Sequence, residues 1–347
     1  MGKNEKSYDL HGLVRFKIIN RSNFLNRVFS TVNLEYKNFE TGKVDNPDLT
    51  IYLGDFVPFN QECRILDNHY YVKEDYFYCK DSHKIAKWKF EMSGFESGDM
   101  EIQISTNSFA SMIISGFLID PLINFKLNEK GYSLIHGSCV SKDNQAYLFT
   151  AQGGGGKTST ALYAVERGFN FLGDNFTMLD KGYALSFLSP LNIFSFNLVP
   201  MVKKNMGIES KVEFHLKNLL YKMTGLRIVT KINVKEIFPN SLNDKSKVES
   251  IFLLIPKEKF DIAEIDKEEL IGHTVANMKL DSFPFLKYMM EYSYMFPESR
   301  MATHWDRYEE NLRRNLSDHV TIYRVEVPQK YDMNTFEGIW EVIQNEG

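Results

Sequence analysis

A mixed architecture is predicted: an α/β core over residues 105–347, preceded by a smaller β-rich domain over residues 1–104. Three observations carry this reading. The apolar run Ala146-Tyr147-Leu148-Phe149-Thr150 leads into Ala151-Gln152-Gly153-Gly154-Gly155-Gly156-Lys157-Thr158 and then a helix-like run from Ser159 to Arg167, which is strand, glycine-rich loop, helix. After residue 105, helical and strand-like segments alternate, the pattern of an α/β core. Before it, short runs rich in Phe, Tyr, Val and Ile recur between turn residues, which suggests an antiparallel β-rich domain.

The N-terminal runs are Gly12 to Ile19, Leu49 to Leu53, His69 to Val72, Tyr76 to Cys79, Ile85 to Met92 and Met100 to Ile104. Their aromatics, Tyr70, Tyr71, Tyr76, Phe77 and Tyr78, either fill the domain's own core, the favoured reading, or present a sheet edge or face to a peptide. Phe109 to Phe125 is the most apolar stretch, and Asp120-Pro121 interrupts it well short of the roughly twenty residues a bilayer span needs. It reads as a buried helix with cap candidates at Ser105, Thr106, Asn107 and Ser108, ended or kinked at Pro121. Leu134 to Val140 is a strand, and the polar turn Ser141 to Gln145 makes it a hairpin partner of the glycine-loop strand. That pairing brings His136 next to the loop strand.

The helix after the loop closes at Arg167-Gly168, with glycine in the C′ place. A short run, Phe169 to Leu172, then reaches Gly173-Asp174-Asn175. Lys203 to Leu226 mixes apolar residues with Lys203, Lys204, Lys211, Lys217 and Lys222 at helical spacing, read as helices over the active site with a mainly solvated lysine face. Val248 to Pro256 reads as a late core strand. Trp305 to Leu316 carries Trp305, Tyr308, Leu312 and Leu316 on one helical face, and Val320 to Val327 alternates as a strand.

Chemistry concentrates at the loop. Successive glycines let backbone N–H groups turn inward around phosphate oxygens, and the following helix points its positive end at the same anion. Gly153, Gly154, Gly155, Gly156, Lys157, Thr158 and Ser159 are therefore the nucleotide-binding candidates, with Lys157 against the β- and γ-phosphates and the Thr158 hydroxyl on Mg²⁺. Asp174, one helix further on, reads as a Mg²⁺ partner or the base of phosphoryl transfer, or else as a turn aspartate between Gly173 and Asn175. By residue type alone His136 is more often structural than catalytic.

Taken together, His136-Gly137, the loop from Ala151 to Thr158, Arg167-Gly168 and Asp174-Asn175 resemble the HPr kinase/phosphorylase family, with matching spacing from His136 through Asn175 and a looser match from Val248 to Glu264. The loop-and-aspartate arrangement is also similar to phosphoenolpyruvate carboxykinase, which shares that fold. The resemblance implies that Asp174 accepts the proton of the acceptor hydroxyl, and it raises His136 to a candidate for bonding the acceptor phosphate or holding Asp174. ATP, Mg²⁺ and a peptide, protein or small-molecule hydroxyl acceptor are implied, a Ser or Thr of a polypeptide ahead of a sugar. Two positions depart from the pattern: Ala151 stands where the loop usually opens with glycine, and Asn175 stands where the family has a second aspartate. These departures keep open a nucleotide sensor or scaffold without phosphoryl transfer. The substrate-gripping signature of true HPr kinases is missing between Leu191 and Glu236.

Composition sets the outer bounds. Across 347 residues, 43% are hydrophobic and 25% charged, as in ordinary globular proteins, and the formal net charge of −4 gives no basic field for nucleic acid or anionic membrane. Cys63, Cys79 and Cys139 are too few and too scattered for a disulfide framework or a metal site. The polar start Met1-Gly2-Lys3-Asn4-Glu5-Lys6 shows no signal peptide, so a cytoplasmic location is expected, and a homo-oligomer is compatible with the sequence.

Overall fold

The computed structural model describes residues 4–22, 27–194, 198–224, 229–328 and 333–346. Met1, Gly2 and Lys3 of the polar start, and Gly225 and Leu226 of the lysine-bearing region, lie outside the described residues. The chain is mixed α/β and groups into two compact units, residues 1–132 with 278–311, and residues 133–277 with 312–347. The expected division at 104/105 therefore differs from the observed one. Residues beyond 104 are tied to the first unit by polar anchors: the Tyr36 hydroxyl donates to Asp120, and Lys126 Nζ donates to Gly98 O at 3.0 Å.

Among the described residues, nine strands build the first unit: β1 (Glu5–Leu10), β2 (Val14–Asn20), β3 (Glu40–Thr41), β4 (Leu49–Leu53), β5 (Arg64–Leu66), β6 (Tyr70–Lys73), β7 (Tyr76–His83), β8 (Ala86–Ser93) and β9 (Met100–Thr106). Their order is β3-β1-β2-β4-β9-β8-β7-β6-β5. The sheet is not purely antiparallel as expected, because β2–β4 and β4–β9 run parallel. A crossover through helix α1 (Arg27–Glu35), which buries Val28 and Val32, makes the first of these parallel pairings topologically available. Tyr70, Tyr76, Phe77 and Tyr78 are all at most 5% exposed and fill the core as the favoured reading had it, whereas Tyr71 is half-buried, its ring 5.4 Å from that of Tyr78. The Tyr288 ring, from the helix over Phe283–Met295, packs among them, 5.0 Å from Phe90 and 5.9 Å from Phe77.

The apolar stretch from 109 to 125 is helical but not one helix. A 3-10 turn (Ser108–Met112) capped by the Asn107 side chain is followed by a π turn (Ser115–Ile119) and helix α2 (Asp120–Glu129). Pro121 lies in the first turn of α2 and does not end a helix, since a first-turn residue needs no N–H donor.

A buried histidine gives this unit a pH dependence. His304 is stacked on Phe125, and its Nδ1 lies 3.0 Å from Asn128 Nδ2, an amide donor that suits a neutral ring. Burial pushes its pKa down from 6.5 to about 3. The unfolded chain then binds the proton that the folded chain refuses, so this contribution to stability is whole above about pH 6.5 and shrinks as pH falls toward 3. Between pH 6.5 and 5.5 the loss is about 1 kcal/mol. Urea unfolding at several pH values is expected to show this slope, and His304→Gln is expected to flatten it.

The second unit is organised on β10 (Ser133–Lys142) and β11 (Gln145–Thr150), an antiparallel hairpin. Its two-residue turn, Asp143-Asn144, has φ of 51° and 66°, the left-handed pair that matches the twist of the strands. Helix α3 (Lys157–Glu166) follows the glycine-rich loop. Then come β12 (Asn170–Gly173), β13 (Phe176–Asp180) and β14 (Tyr183–Leu185), and β15 (Leu191–Ile193) pairs with β16 (Thr230–Ile232) as a separate ribbon. The long β17 (Lys245–Lys257) is parallel to β11 and to β19 (Thr321–Pro328), and β18 (Asp261–Glu264) forms the edge. Because β17 pairs with β14 as well as β11, the pairings β11-β10-β13-β14-β17 close on themselves.

Phe149, Phe252 and Tyr323 stand in register on β11, β17 and β19 and stack at 5.4 and 5.3 Å. Ala161, Leu162 and Val165 of α3 belong to the same core. The region from Lys203 forms helices α4 (Pro200–Asn205) and α5 (Ile208–Thr224); Lys203, Lys204 and Lys222 are exposed, while Lys217 donates to Val229 O at 2.7 Å. Among the described residues, no helix is long and apolar enough to cross a membrane.

Candidate functional site

The loop between β11 and α3 owes its path to its glycines. Gly154 and Gly156 have φ of 83° and 92°, a left-handed backbone that costs other residues strain. Gly153 and Gly154 are exposed, and a Cβ on either would meet nothing within 4 Å. Gly155 is different: its Cβ would fall 2.6 Å from the Ala151 Cβ. The alanine that opens the loop therefore makes the glycine at 155 obligatory. Gly156 is the N-cap of α3 and has no side-chain acceptor for the first-turn N–H groups, so that end of the helix presents its positive pole toward the loop. Ser159 is half-buried in the first turn.

This steric pairing makes a testable prediction. Gly155→Ala is expected to cost about 1–3 kcal/mol of stability through overpacking. Adding Ala151→Gly should recover most of it, because the clashing Cβ is then gone. Denaturant midpoints of the two single variants and the double variant measure the coupling.

Lys157 is 6% exposed, and its ammonium is folded back into the loop, donating to Ala151 O at 2.7 Å and Gln152 O at 3.3 Å. Asn277 Nδ2 donates to the same Ala151 carbonyl at 2.9 Å. The Lys157 ammonium is thus held in place by two carbonyls of its own loop.

Asp174 is 1% exposed and sits directly after β12. Thr158 Oγ1 lies 2.9 and 3.0 Å from its two carboxylate oxygens, and Ser138 Oγ donates to Oδ1 at 2.5 Å. Ser189 Oγ donates to the Asp174 carbonyl at 2.9 Å. The geometry follows from strand register. β12 and β13 both pair with β10, with Cys139 opposite Gly173 and His136 opposite Phe176. The register is the same on both sides of the break, which sets Ser138 across from Asp174 and Gly137 across from Asn175. Gly137 N donates to Asn175 O at 3.1 Å, in keeping with this. Asn175 takes φ of 70°, a conformation asparagine tolerates better than most side chains, and its Oδ1 accepts from Asn192 at 3.3 Å.

His136 lies on β10 beside the loop strand; its ring is 5.9 Å from that of Phe176, and its carbonyl accepts from Thr150 Oγ1 at 2.9 Å. At the far end of α3, Arg167 pairs with Glu337 at 2.7 Å and lies over the Tyr163 and Trp340 rings, which anchors the helix.

Three contributors escaped the sequence reading: Ser138, Ser189 and Asn277. Ser138 carried a signal, since it lies two residues after His136 on a strand and so projects from the same face. Asn277 carried none, because it reaches Ala151 across 126 residues of sequence.

No family model matches the chain, and no curated protein matches it. Among solved structures, the chain is similar to the HPr(Ser) kinase/phosphatase from Coxiella burnetii, at 10% identity over 61% of this chain and 95% of that one, with a TM-score of 0.28. The functional reading accordingly stands on the chain's own residues and geometry.

Proposed function

We propose that this protein is an ATP- and Mg²⁺-dependent kinase that transfers the γ-phosphoryl group to a hydroxyl, a Ser or Thr of a peptide or protein in preference to a sugar. The observation that carries this is the buried Asp174 carboxylate within 3.0 Å of the Thr158 hydroxyl, at the head of a glycine-rich loop that holds Lys157. A hydroxyl that gives its one proton to a carboxylate keeps both lone pairs for a cation. Thr158 Oγ1 and Asp174 Oδ are hard oxygen donors, the type Mg²⁺ takes together with substrate phosphates and water, so the residues present fit that ion. When bound, Mg²⁺ neutralises charge on the phosphates.

In this reading the acceptor oxygen bonds to the γ-phosphorus as the bond from that phosphorus to the β–γ bridging oxygen breaks. The acceptor proton passes to the Asp174 carboxylate, and the diphosphate leaves with its charge countered by Lys157 and the loop amides. Ser138 orients the carboxylate through Oδ1. His136 lies one strand from the loop and is assigned to the acceptor side. Asn175 cannot ionise, so one carboxylate fewer is on hand to support the reverse, phosphate-driven reaction.

The test is incubation with γ-labelled ATP, Mg²⁺ and candidate peptides. Label on a Ser or Thr supports the reading. Tight ATP binding with neither label transfer nor phosphate release would instead make the protein a nucleotide sensor.

A further inference from the structure

Away from the loop, the first unit carries a second feature with chemistry of its own. One face of its sheet is crossed by a strap, residues 55–59, pinned at several points. Glu91, only 6% exposed, accepts from Phe59 N at 2.8 Å, Lys89 Nζ donates to Phe56 O at 2.6 Å and pairs with Asp55 at 2.6 Å, and the Phe56 ring meets Tyr78 edge-on. The strap separates two depressions of opposite character. On one side lies a hollow of about 280 Å³ whose wall includes Glu74, Glu91 and Glu101. On the other lies a hollow of about 420 Å³ whose wall includes Lys80, Lys87 and Lys89 with the side chains of Ser82 and Ser105.

The basic hollow is not neutralised from within. Strand register sets Lys80 directly opposite Lys89 and Lys87 opposite Ser82, so three ammonium groups share one face of β7 and β8. Like charges directly opposed across a strand pair are unfavourable. Lys89 is relieved by Asp55. Among the described residues Lys80 and Lys87 have no ion pair. Asp81, also in the wall, is committed to the Tyr288 hydroxyl at 2.7 Å and to the Ser82 amide at 2.7 Å. An incoming anion would remove the repulsion that the sheet leaves standing.

The surroundings select the kind of anion. Val57 on the strap, next to the Phe56 carbonyl that Lys89 binds, is 91% exposed, so apolar surface adjoins the charge, whereas the exposed Phe59 stands in the wall of the acidic hollow. A polyanion that continues across the strap meets Glu74, Asp75, Glu91 and Glu101, with Lys73 as the cation among them, and is repelled there. A short acidic stretch carrying apolar side chains meets no such barrier.

We propose that the basic hollow of the first unit, built on Lys80 and Lys87 beside the strap, is a docking site for an acidic, apolar-flanked segment of polypeptide. The carboxylates of the segment pair with the two lysines and its apolar side chains lie on the strap. This binding needs no nucleotide, so it can be tested independently of phosphoryl transfer.

The experiment is fluorescence anisotropy of a labelled short peptide of alternating glutamate and leucine, added to the full-length chain without ATP. A lysine–leucine peptide and an oligothymidylate of equal length serve as comparisons. The acidic peptide should bind and the basic one should not. K80E/K87E should weaken binding by about tenfold or more, K80R/K87R should keep it, and raising the salt should weaken it in the unaltered protein. If circular dichroism shows K80E/K87E unfolded, K80Q/K87Q and the salt series make the same test. Absence of binding by the acidic peptide, undiminished binding by the charge-reversed or charge-neutral variant, or tighter binding of the oligothymidylate would overturn the proposal.

Discussion

Asp174→Asn is expected to lower phosphoryl transfer by about a thousandfold while leaving ATP affinity within a few-fold of the starting value. The amide has the shape of the carboxylate, and the Thr158 and Ser138 hydroxyls that now donate to Asp174 can rotate to suit it. What the amide loses is the ability to take a proton, together with the negative charge that would help hold Mg²⁺, and general-base catalysis alone contributes on the order of 10²–10⁴ in rate. Single-turnover transfer and ATP titration, run side by side on both proteins, make the comparison. Turnover within tenfold of the starting value would remove Asp174 from the reaction and favour the sensor.

Lys157→Ala is expected to act on the other half of the cycle, weakening ATP binding by about a hundredfold. A charge-assisted contact to phosphate contributes about 1.5–3 kcal/mol, and each 1.4 kcal/mol is a factor of ten. The fold should survive, because Asn277 still donates to the Ala151 carbonyl at 2.9 Å when the ammonium is gone. A fall in thermal midpoint of at most a few degrees is expected, because the Gln152 carbonyl loses the lysine but keeps the Gly155 N–H at 3.0 Å. Calorimetric titration with ATP decides the matter: unaltered affinity would end the assignment of the loop to phosphate.

The two variants separate binding from chemistry, and Ser138 adds a third readout. Because Ser138 acts through Asp174 and not on the acceptor, Ser138→Ala should lower turnover less than Asp174→Asn does and leave ATP affinity alone. A kcat loss equal to that of Asp174→Asn would mean that Ser138 has a more direct part.

Much of the candidate site was legible because it is local. The strand before the loop, the run of glycines, the lysine and threonine at its end, the helix closing at Gly168 and the two-residue hairpin turn all lie within a few residues of what determines them. Left-handed backbone at Gly154, Gly156, Asp143 and Asn144 follows from the residue types themselves. The one-helix interval from Lys157 to Asp174 was likewise visible, since a helix and a strand of known rise bridge it.

Other features depended on partners far away in sequence. That Ser138 faces Asp174 is a matter of register between β10 and the β12–β13 stretch, and register is fixed by which side chains must be buried together. The parallel pairing of β2, β4 and β9 could not be read from runs that look alike in parallel and antiparallel sheets. The basic hollow of the first unit needed β7 and β8 aligned before Lys80 and Lys89 became neighbours. By itself, then, the sequence determined the backbone of the loop and the types of the groups around it, because steric limits on φ act within one or two residues. Only the tertiary structure decided which of those groups touch, and where the chain divides, because burial and strand register are settled by the whole core at once.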